Sequence, residues 1–147
     1  MRLVIQRVSS ASVSVDGKIV GQCGRGLCIL AGVKVGDTQA EAEWLANKVA
    51  NLRVFDDDEG KLNRSILDLK GEALVVSQFT LYADARKGRR PTFIDAEAPA
   101  KAEPLFSHFV DRLRAEGVPV QIGVFQTIMQ VEIHNDGPVT IILEKES

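Results

Sequence analysis

Histidine and cysteine are nearly missing from this chain of 147 residues, which has two of each. Two cysteines, Cys23 and Cys28, cannot staple a small scaffold, so they read as reduced, partly buried thiols that act as small hydrophobes. A zinc site needs three or four ligands, and His108 and His134 lie far from the cysteine pair without ligand spacing, so no metal is expected. No apolar run approaches the roughly eighteen residues that cross a bilayer as a helix. Positive charge is not in excess: 18 Lys+Arg against 20 Asp+Glu leave a net charge of −2. That excludes a protein that grips nucleic acid by bulk charge, but not one with a small local basic site. With 45% hydrophobic and 26% charged residues, disordered and fibrous classes drop out. The N-terminal stretch Met1-Arg2-Leu3-Val4-Ile5-Gln6-Arg7-Val8 is charged and lacks a small-residue cleavage site. It reads as a first strand, and the cytoplasm is the expected compartment.

The length fits one domain with no linker, repeat or low-complexity stretch. Val4, Gln6 and Val8 alternate with Leu3, Ile5 and Arg7, a strand covered on both faces. Ser12-Val13-Ser14-Val15 and Lys18-Ile19-Val20 flank Asp16-Gly17, a two-residue hairpin turn. Gly24-Arg25-Gly26 reads as a turn, and Leu27–Val33 as a central strand. Thr38 and Glu41 form a capping box opening a helix whose stripe is Ala42, Leu45, Val49 and Leu52; Trp44 falls at its rim. A short strand begins at Arg53-Val54-Phe55. The acidic run Asp56-Asp57-Asp58-Glu59-Gly60 lacks the ligand alternation of a calcium loop and reads as a solvated turn. A strand over 73–81 follows, then a loop over 82–99. A second helix over 101–116 points Leu105, Phe106, Phe109, Val110 and Leu113 inward, with Pro104 tolerable only in its first turn. Three strands close the chain, 118–124, 127–134 and 139–144, the last two joined by Asn135-Asp136-Gly137-Pro138. The expectation is an α/β fold: a mixed, mainly antiparallel sheet or wide barrel-like β layers, with two helices packed on one side.

Side-chain catalysis is hard to find. Ser77 lacks the glycines of a nucleophile elbow, and neither histidine suits a buried base: His108 is a solvated helix residue and His134 faces outward. Gly21, Gly24 and Gly26 are strand ends, not a phosphate cradle. Two polar segments stand out. On a continuous strand Ser77 and Phe79 share one face while Gln78 and Thr80 share the other; their hydroxyls and amide serve either local backbone capping or a site. Asn135-Asp136-Gly137-Pro138-Val139-Thr140 is either a plain turn or, because a Gly-Pro bond adopts cis at small cost, a rigid pair of exposed carbonyls.

Across Gln6-Arg7-Val8, Val13–Gly17, Asn51-Leu52-Arg53, Ser77–Asp84, Arg86–Pro91 and Asn135–Thr140 the chain closely resembles the D-aminoacyl-tRNA deacylase family. Its two hallmark motifs, S-Q-F-T-L and G-P-V-T, are intact. The resemblance implies a homodimer that hydrolyses D-amino acids from tRNA, with glycine mischarged on tRNA(Ala) as a further substrate, and no cofactor. Gly137-Pro138 would be cis and reach into the partner's pocket, its carbonyls holding the α-amino group and refusing the L form. Val139 and Thr140 belong to the same substrate-binding motif. Ser77, Gln78, Phe79 and Thr80 would form the catalytic segment, the N–H groups near Phe79 and Thr80 polarising the ester carbonyl while the 2′-hydroxyl of tRNA assists. Arg7 would orient the Gly-Pro turn, and Phe125 and Met129 would line the wall beside the terminal adenosine.

One departure is local: the family it resembles usually shows Gly-Ala after the phenylalanine, whereas this chain has Gln126-Thr127 after Phe125, adding bulk and removing the glycine's freedom for positive φ. The alternatives are a non-catalytic module that binds the acceptor end of tRNA, and an editing deacylase with relaxed chirality. Arg86, Lys87, Arg89 and Arg90 place four of the positive charges within five positions, a local basic patch for RNA phosphates despite the net charge of −2.

Overall fold

Apolar residues at alternate positions from Leu3 to Val13 build one long strand rather than two. β1 runs Arg2–Val15 in a computed structural model that describes residues 1–147. β1 turns through Asp16 (φ 50) and Gly17 (φ 79) into β2, Lys18–Cys23, as the Asp-Gly signal requires. β3, Gly26–Gly32, pairs antiparallel with the first half of β1. β6 (Glu72–Ser77) adds in parallel to β3, and β7 (Val120–Ile122) in parallel to β6. The sheet order β2-β1-β3-β6-β7 curls until β2 and β7 meet: a Cβ on Gly21 would lie 2.5 Å from Ile122 O. That close approach makes a nearly closed barrel. A small ribbon, β4 (Phe55–Asp56) with β5 (Leu62–Arg64), carries the acidic turn, whose Asp57 carboxylate accepts from Glu59 N, Lys61 N and Asn63 Nδ2.

The two closing strands are one. β8 spans Gln130–Glu144 and pairs antiparallel with β1 along both halves, with register shifts around Arg7 and Ser9 where residues 135–139 pass. Residues 135–138 therefore do not form a hairpin turn. The strand expected over 118–124 narrows to β7.

α1, Gln39–Asn51, opens with the expected capping box, Thr38 accepting from Ala40 N and Glu41 Oε2 accepting from Thr38 N at 2.9 Å. α3, Pro99–Ala115, begins two residues earlier than its periodicity suggests. Pro104 consequently lies inside the helix, not in its first turn, and deprives the Ala100 carbonyl of its intrahelical donor. A third helix escaped the sequence reading: α2, Ile66–Leu69, is a single turn capped by Ser65 and Asp68. α1 and α3 pack together on one face of the sheet, where Leu3, Ile5, Ile29, Leu45, Phe109 and Leu113 form the main core. A smaller cluster, Val8, Val13, Cys23, Cys28, Leu74 and Val76, fills the concave face. Both thiols are free and buried there, and burial pushes them up to about 11 for Cys23 and about 12 for Cys28.

Candidate active site

The strand that carries the first motif stops where the motif begins. Gln78 N donates to Ala31 O at 2.8 Å, the last rung beside β3, and Phe79–Tyr82 then wind into a 3-10 turn. The expected alternation of residues 77–80 is thus wrong beyond Ser77, because the backbone turns out of the sheet. In this turn Leu81 N bonds Gln78 O and Ala83 N bonds Thr80 O, which leaves the amides of Phe79 and Thr80 without a backbone acceptor. Gln78 Nε2 donates to Thr80 Oγ1, which ties the two side chains together over the turn.

Beside these amides lies a cleft of about 710 Å³ lined by Ser77, Gln78 and Phe79, by the start of α3, and by residues 125–129. Its lining is mostly apolar, the kind of surface that holds a ligand by shape and leaves orientation to a few polar groups. Phe79 is 58% exposed and meets Phe93 edge-on at 5.2 Å on the rim. Phe125 packs against Phe106 of α3 at 6.2 Å, and Met129 packs on the concave cluster. Ser77, Gln78, Phe79, Phe125 and Met129 are therefore brought together in one cleft. Thr80 is exposed and does not line the cleft, so it joins the site through its backbone amide and through Gln78.

The second motif lies elsewhere in the same chain. The Gly137–Pro138 bond is cis, both residues are exposed, and neither lines the cleft. Arg7 holds this segment from beneath. Its guanidinium, on a residue only 7% exposed, donates from Nε to Asp136 O at 2.9 Å and from Nη1 to Val54 O at 3.0 Å. Carboxylates of Asp56 and Asp136 stand 3.4 and 3.5 Å from it. Gly137 has φ 126, and a Cβ there would meet Val139 N at 3.0 Å and Arg7 Nη2 at 3.1 Å, so the position admits only glycine. Val139 packs on the main core, and Thr140 Oγ1 donates to Gln6 Oε1, so both are anchors of the turn within this chain.

In the basic loop Arg86 is spoken for. Its guanidinium grips Asp84 at 2.8 and 2.9 Å and holds that carboxyl down to about 2. Lys87, Arg89 and Arg90 remain exposed around Gly88. His108 is paired rather than solvated, 3.0 Å from Glu43 of α1, and His134 is exposed on β8, so neither approaches the cleft. Gln126 lines the cleft with φ 60, so it holds the left-handed backbone that its side chain was expected to disfavour. Glu97 is the one cleft-lining carboxylate, and sequence periodicity gave no sign of it; its oxygens accept from Ala98 N at 2.9 Å and Gly36 N at 3.4 Å, tying the loop before α3 to the loop between β3 and α1.

The fold is a nearly closed α/β barrel with an apolar cleft at the end of β6, and the backbone amides of Phe79 and Thr80 lie at its edge. Residues 4–144 match the family described as D-Tyr-tRNA(Tyr) deacylase, and the chain belongs to that family. It is 60% identical over 144 residues to the D-aminoacyl-tRNA deacylase of Thermomicrobium roseum, covering 98% of this chain and 94% of that one. It is 62% identical to the protein of the same name from Roseiflexus castenholzii, covering 98% and 92%. The solved structure of the c-Myc DNA Unwinding Element Binding Protein is similar over 100% of both chains, with a TM-score of 0.94 at 44% identity.

Proposed function

We propose that this protein hydrolyses the ester of D-aminoacyl-tRNA, releasing the free D-amino acid and tRNA. The observation that carries this is the pair of unpaired amides at Phe79 and Thr80 on the edge of an apolar cleft. Amides fixed in such a place stabilise the charge that builds on an ester carbonyl oxygen as it is attacked, without reorganising at that moment. A removed oxyanion donor typically lowers kcat by about 10²–10³. The Glu97 carboxylate at the cleft already accepts from Ala98 N and Gly36 N, so the 2′-hydroxyl next to the ester is assigned to assist water, and the protein contributes alignment. Membership of the family, and relatives bearing the deacylase name at 60% and 62% identity, support this reading.

Chirality is assigned to Gly137 and Pro138 of a second copy. Their carbonyls accept from the α-amino group of the D-amino acid and leave no room for an L side chain. The exposure of that turn, and its separation from the cleft of its own chain, support a homodimer with two shared sites. Lys87, Arg89 and Arg90 are assigned to phosphates of the acceptor end, and an enzyme of this substrate belongs in the cytoplasm. Neither step needs a metal.

The deciding experiment is hydrolysis of D-tyrosyl-, L-tyrosyl- and glycyl-tRNA by the purified protein, side by side. Release of D-tyrosine with the L ester intact is expected. An intact D ester refutes the proposal, and tight tRNA binding without cleavage would turn the protein into a binding module.

A further inference from the structure

A 3-10 turn of four residues is a weak scaffold, because its hydrogen bonds are poorly aligned and no side chain caps this one. The free amides of Phe79 and Thr80 stabilise charge only while they stay aimed, so the turn itself must be held. Its entry is fixed by Gln78 N on Ala31 O. Its exit is fixed by three residues outside the cleft lining: Arg2 on β1, Tyr82 at the end of the turn and Glu144 on β8. Arg2 Nη1 donates to Leu81 O at 2.6 Å, and the guanidinium lies 4.7 Å over the Tyr82 ring. Tyr82 is only 5% exposed and donates its hydroxyl to Glu144 Oε2 at 2.8 Å. Arg2 Nη2 closes the triangle by donating to Glu144 Oε1 at 3.2 Å, between two residues that face each other across β1 and β8. Burial, and then the facing carboxylate, push the Tyr82 hydroxyl above its ordinary value, so it stays a donor.

Two of these contacts end on the turn and not on a strand. Arg2 grips the carbonyl of Leu81, the residue next to Thr80, and Tyr82 is the turn's last residue. We infer that Arg2, Tyr82 and Glu144 are positioning residues for deacylation: they fix the tilt of residues 79–82 and so aim the Phe79 and Thr80 amides at the ester oxygen. The assignment rests on the deacylase reading. Arg2 carries the largest share, because its loss strips a donor from the Leu81 carbonyl and a partner from Glu144 at once. Oriented amides act on the charge of the transition state, so loosening them lowers kcat and leaves KM alone. None of the three lines the cleft, which leaves substrate binding to other residues. A residue that served stability alone would change how much enzyme is folded, not how fast the folded enzyme reacts.

The test is single-turnover deacylation of D-tyrosyl-tRNA at saturating enzyme, where the rate constant does not depend on the folded fraction, with steady-state KM measured beside it. Arg2→Ala should lower the rate constant by about 10² with KM unchanged, the loss expected for a turn displaced by an ångström. Arg2→Lys keeps a cation over the ring and one donor for Leu81 O, so it should recover part of the loss. Tyr82→Phe keeps the buried ring and removes only the hydroxyl, so it should fold and show a smaller fall of the same kind. Thr38→Ala removes the cap of α1, far from the turn, and should lower stability while the rate constant stays at the wild-type value. A Tyr82→Phe rate constant equal to that of Thr38→Ala overturns the inference, and so does a loss carried by KM; the deacylase reading stands in both cases. Failure of the wild-type protein to cleave D-tyrosyl-tRNA overturns both.

Discussion

Replacing Arg7 with alanine should damage stability and catalysis together, and the size of the first can be worked from its partners. Arg7 is 7% exposed and ties β1 to Val54 and to Asp136. Val54 is buried, so its carbonyl would lose its donor with no water to replace it, a loss of about 1.5–3 kcal/mol for a charge-assisted bond. The Asp136 carbonyl is half-buried and should add about 1 kcal/mol. The side chains of Asp56 and Asp136 are 51% and 47% exposed, so their ion pairs contribute well under about 1 kcal/mol and can be set aside. The sum is about 2.5–4 kcal/mol, a large share of a typical domain's roughly 5–15 kcal/mol. Freeing the 136–138 turn by an ångström should lower kcat/KM on D-aminoacyl-tRNA by about 10². Urea unfolding and single-turnover deacylation read the two losses separately. Arg7→Lys keeps the charge but not the fork, so it should recover part of the stability and little of the activity. An Arg7→Ala protein within about 0.5 kcal/mol of wild type would refute the bookkeeping. One with kcat/KM unchanged would refute the link between Arg7 and the turn.

Reversing Lys87, Arg89 and Arg90 to glutamate should raise KM for acyl-tRNA and flatten the dependence of log KM on log salt by about 2–3; an unchanged slope returns the loop to solvent. The Thr38 hydroxyl and amide hold the Glu41 carboxyl below its ordinary range. That stability is complete above the unfolded value of about 4.3 and disappears as pH falls through the lower folded value, so Glu41→Gln should flatten acid unfolding below that point. Cys23 and Cys28, pushed to about 11 and about 12, should resist a thiol reagent at pH 8 until the protein is unfolded, and rapid labelling of the native state would contradict their placement.

What the sequence made legible is local. Thr38 and Glu41 sit three apart and satisfy each other's backbone, so the start of α1 needs no tertiary information, and the Asp16-Gly17 turn is of the same kind. The end of β6 is not local. Phe79, Thr80 and Leu81 favour strands, but the chain there crosses Gly32, where a Cβ would sit 2.9 Å from Gln78 O and 3.0 Å from Leu81 Cβ, and contact with β3 bends it into a 3-10 turn. Residues 135–138 look like a hairpin turn because Asn, Asp, Gly and Pro usually make one; β1 runs past on the same side throughout and keeps β8 continuous. The cleft residues were reached through the family motifs rather than through spacing. Gln126 shows the limit of residue preference: a glutamine argued against positive φ, and the turn pinned by Thr127 Oγ1 donating to Val124 O imposed it.

Gly137 and Pro138 do not line the cleft of their own chain, and the free edge of β8 bears on the proposed dimer. β8 pairs with β1 on one edge only, leaving the other edge of a 15-residue strand free. Along it Val131, Ile133, Val139, Ile141 and Leu143 stay half-buried, and Ile142 is 65% exposed. A long, unpaired, partly apolar edge is a liability in a monomer and an asset in a two-fold pair, where one patch covers itself. If each copy lends its Gly137-Pro138 turn to the other, catalysis becomes a property of association. Mixing Gly137→Ala chains with chains whose cleft is filled by Met129→Trp should then restore activity that neither has alone, because one site of each mixed pair joins an intact turn to an open cleft. Such complementation has a ceiling of one working site per mixed dimer, about a quarter of wild-type activity for random pairing in equal amounts. Two inactive variants that stay inactive after exchange, while light scattering shows mixed dimers, would place the turn outside the site.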